Sequence, residues 1–90
     1  MRISKEKKEK ISEQILALLY SINPKALFTS QIAYEIARDE EFVKGLLNTL
    51  KSKNLVIEIK KNSKGVDYAR RSRWRLSNKA YKAYKNIQSK

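Results

Sequence analysis

TSQIAYEIARDEEFVKGLLNTLKSKNLV, residues 29–56, changes its apolar register partway along, as a chain must where one short helix ends and a second begins. Thr29 or Ser30 offers a side-chain oxygen to cap the first helix, whose apolar stripe is Ile32, Ala33, Ile36 and Ala37. Arg38 and Asp39 interrupt that stripe. Asp39 can cap a second helix, in which Val43, Leu46, Leu47 and Leu50 share one face and leave Lys44, Asn48, Lys51 and Ser52 towards water. Asn54 tolerates the left-handed conformation that ends helices. The layout is a helix-turn-helix.

Working outward, Ile11, Ile15, Leu18, Leu19 and Ile22 recur at helical spacing and predict an amphipathic helix ending before Asn23-Pro24, with the charged residues 2–10 as its lead-in. Residues 25–28 form a short apolar connection that can pair at the base of a hairpin. On the other side, residues 55–59 alternate Leu55, Ile57 and Ile59 with Val56 and Glu58, a strand with one face inward. Lys60, Lys61, Asn62, Ser63, Lys64 and Gly65 then make a basic loop, in which Gly65 can take positive φ. Arg71, Arg73 and Arg75 alternate with Ser72, Trp74 and Leu76, so a strand here sets three guanidinium groups on one face and Trp74 with Leu76 on the core. Ser77 caps a last helix carrying Ala80, Tyr81, Ala83, Tyr84 and Ile87.

With these flanks, the chain resembles the winged helix-turn-helix family of the multiple-antibiotic-resistance regulator type. Ile32-Ala33 matches the apolar-Ala pair of the family's first helix. Val43, Leu47, Leu50, Leu55 and Val56 match its recognition helix running into a strand, with Asn54 where the family usually has Gly. The run from Trp74 to Ala80 resembles the strand-to-helix exit that closes the wing. The resemblance covers roughly residues 11–87 and implies a mainly α fold with a small β-hairpin. It implies one domain over residues 1–90, with a helix-turn-helix at 29–54, a wing at 55–76 and a C-terminal helix at 77–88. One departure stands out: Glu40, Glu41 and Phe42 open the recognition helix, where the family tends to place small polar or basic residues.

Ninety residues with 41% hydrophobic content fit one small globular domain, near the lower size limit for a self-sufficient core. The chain has no Cys and no His, which removes disulfides, thiolate and imidazole metal sites, and catalytic triads that need either residue. No acid, base and nucleophile come together in a motif, and no Gly-rich loop cradles a phosphate, so neither an enzyme nor a cofactor is expected. There is no apolar run near the roughly 20 residues that span a bilayer, and charge follows Met1, so a cytoplasmic location is expected and no membrane contact.

Charge is the informative part of the composition. The 21 Lys and Arg against 9 Asp and Glu give +12. Residues 1–54 hold 10 basic and 7 acidic residues, whereas residues 55–90 hold 11 and 2. A Lys-rich solvated surface predicts mixed signs, as in the first part; the one-sided second part costs self-repulsion unless an anionic partner relieves it. Nucleic acid is the simplest such partner.

Double-stranded DNA requires a helix that fits the major groove, side chains that reach base edges, and cations along phosphates. The second helix of the pair offers Lys44, Asn48 and Thr49, of which Asn can read adenine and Lys can contact guanine or phosphate. Gly45 either permits close backbone approach or is simply tolerated in a helix interior. Lys60, Lys61, Lys64, Arg70, Arg71 and Arg73 can neutralise phosphates or enter a minor groove, and Tyr68 can hydrogen-bond a phosphate. Ser30 and Gln31 can anchor a phosphate through first-turn N–H groups. The acidic start suits the helix dipole but repels phosphate, which moves weight onto the wing.

Tyr81, Tyr84 and Ile87 either pack back on the first helix or pair with a second subunit, giving a homodimer. A transcription regulator binding double-stranded DNA is the first expectation. The alternative is a winged-helix module that docks on another protein through Glu40, Glu41 and Phe42. Single-stranded nucleic acid ranks last, because Tyr68 and Trp74 are the only aromatic residues near the basic strand and Trp74 is expected inward.

Overall fold

Residues 4–61, 64–65 and 71–88 are described in a computed structural model. Helix α1 (Lys5–Ile22) is capped by the Ser4 hydroxyl, which accepts from the Lys7 amide at 3.2 Å, and it buries Ile11, Ile15, Leu16 and Leu19. A two-residue strand β1 (Leu27–Phe28) leads straight into α2 (Thr29–Ile36). Helix α3 (Glu40–Ser52) follows, then β2 (Val56–Ile59), β3 (Arg73–Leu76) and α4 (Asn78–Gln88). The sheet has the order β1-β3-β2 and is antiparallel throughout. This is the expected mainly α architecture with a small hairpin, and the connection at residues 25–28 does pair at its base.

The core lies between the helices and one face of the sheet. Trp74, Ile15, Leu19, Ile32, Leu47, Leu76 and Val43 are its largest fully buried side chains. Burying one such side chain contributes about 1.5–3 kcal/mol, so the sheet's inner face and the three helices over it stabilise one another. Helix α3 keeps the expected stripe: Val43, Leu46, Leu47 and Leu50 are buried, and the Asp39 carboxylate accepts from the Phe42 amide at 3.1 Å. Asn54 adopts φ 62 and turns the chain into β2, and Ser77 caps α4 by accepting from the Ala80 amide at 3.1 Å.

Three local expectations are corrected. Helix α2 is not capped by the Thr29 or Ser30 hydroxyl: it already begins at Thr29, Phe28 occupies the cap position, and Gln31 Oε1 accepts the Phe28 amide at 2.9 Å. Ala37 does not continue the apolar stripe of α2; it ends the helix at φ 55 and is exposed, because the short corner before Asp39 requires a left-handed residue. The inner residue of β2 is Val56, opposite Leu76, whereas Ile57 and Ile59 lie opposite Arg75 and Arg73 on the other face. Their period-2 pattern is present, but the Leu55 amide donates to the Leu50 carbonyl at 3.0 Å and this register turns Val56 inward.

Candidate nucleic-acid interface

Because the apolar stripe of α3 is spent on the core, the remaining side of this helix faces solvent, and Lys44, Asn48 and Thr49 are all exposed. Lys44 lies on the edge of α3 next to α2. There it lines a concavity of about 130 Å³ with Phe28, Thr29, Ser30, Glu40, Arg71 and Ser72. Three elements thus contribute a polar group to one place: Ser30 from the first turn of α2, Lys44 from α3, and Arg71 from the segment entering β3. The Arg71 guanidinium stands 5.4 Å from the centroid of the Phe28 ring, a cation–π contact that holds the charge over an apolar platform.

Other expected residues are placed differently. Gln31 turns its side-chain oxygen back onto the Phe28 amide. The Thr49 hydroxyl donates to the Gly45 carbonyl at 3.2 Å, leaving its oxygen able to accept. Lys60, Lys61 and Lys64 are exposed between β2 and β3. Tyr68 and Arg70 lie outside the described residues. The three arginines do not form one exposed row: Arg71 precedes β3, and Arg73 and Arg75 are half-buried on the sheet face opposite Trp74. Arg75 Nη1 donates to the Leu76 carbonyl at 3.1 Å. The alternation was read correctly, but alternation alone does not say that the second face of a three-stranded sheet is partly covered.

The acidic start of α3 is split between two surfaces. Glu40 lines the concavity with Lys44 and Arg71. Glu41 and Phe42 instead border a separate groove of about 680 Å³ between α1 and α3, floored by Leu16, Leu46 and Leu50. Of the residues expected to dock on another protein, Glu40 thus lines one concavity and Glu41 with Phe42 the other.

At the far end, Tyr81 and Tyr84 stack on Tyr20 with centroids 5.3 and 5.4 Å apart, so they pack back on α1. Burial, and after it the negative charge of Glu13, push the Tyr84 hydroxyl pKa up. Ile87 is 70% exposed. Sequence reasoning missed Glu58, which reaches from β2 to α3 and to the segment entering β3. Glu58 Oε1 accepts from Lys51 Nζ at 2.7 Å and Oε2 accepts from the Ser72 hydroxyl at 2.5 Å. Burial raises its pKa, but the hydrogen bonds from Lys51 and Ser72 and the charges of Lys51 and Lys60 outweigh that, so it sits below the ordinary carboxylate value. The available signal was that Glu58 and Asp67 are the only acids in residues 55–90.

Among solved structures, the DNA complex of MepR from S. aureus superposes with a TM-score of 0.75 at 22% identity, over 93% of this chain and 66% of that one. The fold is a winged helix-turn-helix of the multiple-antibiotic-resistance regulator (MarR) type. A double mutant of ZitR from Lactococcus lactis in its apo form matches the same winged fold with a TM-score of 0.71 at 21% identity, over 93% of this chain and 58% of that one. MepR described as a transcription regulator of the Staphylococcus aureus multidrug efflux pump MepA matches with 0.65 at 24% identity, over 93% and 67%. This winged chain thus spans less than two thirds of the length of the DNA-bound MepR and the ZitR chains. No protein-family model matches it, and no curated protein sequence does. Among the described residues, no helix is long and apolar enough to cross a membrane.

Proposed function

We propose that this chain binds double-stranded DNA as the winged-helix part of a transcription regulator, a binding role rather than an enzymatic one. Helix α3 enters the major groove with Asn48 and Lys44 towards base edges and phosphate, and Ser30 and Arg71 receive the adjoining phosphate. Lys60, Lys61 and Lys64, together with Tyr68 and Arg70, follow the backbone or enter the minor groove. The observation that carries this reading is the convergence of Ser30, Lys44 and Arg71 on one concavity beside the exposed side of α3. The DNA complex of MepR, on the same fold, supports it.

Two copies pairing through α4 and its exposed Ile87 would have to set two α3 helices about 34 Å apart, one turn of duplex, to meet successive major grooves. A gel-shift titration of random-sequence duplex with wild type and the Lys44→Glu, Arg71→Glu variant tests the DNA reading. Salt-sensitive binding by wild type and its loss in the variant are expected. Equal binding by both would refute the assigned surface.

A further inference from the structure

Lys51 follows Lys44 by seven residues on α3, so the two side chains leave the helix on nearly the same line, roughly 10 Å apart along its axis. By position alone, Lys51 belongs to the same row of cations. It is half-exposed, yet its Nζ is drawn back 2.7 Å from Glu58 Oε1, and that carboxylate is only 11% exposed. The second carboxylate oxygen accepts the Ser72 hydroxyl, which fixes the backbone next to Arg71. One carboxylate thus holds a cation of α3 and the entry to β3 together. A pair so exposed on the lysine side adds little to stability, which leaves the placement of charge as its main effect.

Resting on the DNA-binding reading, we propose that Glu58 is a positioning residue of the duplex-binding surface: it withdraws Lys51 from phosphate contact and holds Arg71 beside Lys44. Of the cations on that line of α3, Lys44 meets the duplex and Lys51 does not. The consequence is a lower sequence-independent attraction than the lysine count implies, so a larger share of the affinity comes from positions that read the DNA. Neutralising Glu58 releases Lys51, which then adds one phosphate contact without regard to sequence.

The test is the slope of log affinity against log salt on a random-sequence duplex for wild type, Lys51→Met, Glu58→Gln, the double variant and Lys44→Met, each first shown to be folded by circular dichroism. Each phosphate contact changes the slope by about 0.9. Lys51→Met is expected to keep the wild-type slope, whereas Lys44→Met flattens it by about one contact. Glu58→Gln is expected to steepen it by about one contact, and adding Lys51→Met to that variant to remove the gain. A flatter slope for Lys51→Met alone overturns the proposal, and that surface variant decides the matter even where Glu58→Gln does not fold. Wild type that fails to bind in a salt-dependent way removes the DNA reading and this inference with it. Binding by wild type with a flattened Lys51→Met slope removes this inference only.

Discussion

The indole N–H of Trp74 donates to the Thr29 hydroxyl at 2.8 Å, joining the middle of β3 to the first residue of α2 inside the core. Trp74 is fully buried and Thr29 nearly so, so water cannot replace the hydroxyl if it is lost. Thr29→Val, similar in shape, is expected to destabilise the protein by about 1–3 kcal/mol in urea unfolding, and Thr29→Ser by much less.

Gly45 lines the groove between α1 and α3, and a methyl group there would meet nothing within 4 Å. Packing does not require this glycine. Gly45→Ala is expected to stabilise the helix by about 1 kcal/mol, read as a higher urea midpoint. DNA affinity measured on the same variant separates the two readings of the glycine: a loss marks close approach of the duplex to the backbone, and no change marks a tolerated helix interior.

Glu58 gives the fold an acid-sensitive element. Its folded-state pKa lies below the ordinary 4.5, so its stabilising contribution is fully present above that value and is lost as pH falls through the folded-state pKa. Urea midpoints followed from neutrality to well below 4.5 are expected to drop, with a smaller drop in Glu58→Gln.

The two ends of the aromatic edge on α4 are expected to respond differently. Tyr84→Ala removes a ring stacked on Tyr20 and is expected to cost about 0.5–1.5 kcal/mol beyond the lost area. Ile87→Asp removes an exposed apolar group, so it is expected to leave stability nearly unchanged and lower the mass seen by sedimentation from two copies to one.

Much of this architecture could be read from residue order because local signals agreed with one another. The 3.6-residue stripe of α3, the Asp39 and Ser77 caps and the left-handed Asn54 match the structure, and α1 keeps its stripe except that Leu16 is buried while Leu18 and Ile22 are only partly so. What could not be read was set by contacts distant in sequence. Thr29 looked like a cap because no local pattern shows that its hydroxyl is needed by Trp74, 45 residues away. The inner face of β2 was decided by pairing with Trp74 and Leu76 rather than by the count of apolar residues along the strand. The same holds for the interface. Ser30, Lys44 and Arg71 were each legible as candidates, but their convergence, the turning back of Gln31 and the capture of Lys51 by Glu58 depend on how three elements pack.

In the proposed complex, the cations around α3 and the wing meet the phosphates of a duplex. The most direct test of this contact is the affinity of the intact chain for random-sequence duplex DNA, measured across a range of salt concentrations. With about six phosphates neutralised, log affinity is predicted to fall against log salt with a slope of about −5. Failure to bind at low salt, or binding that does not change with salt, would contradict it.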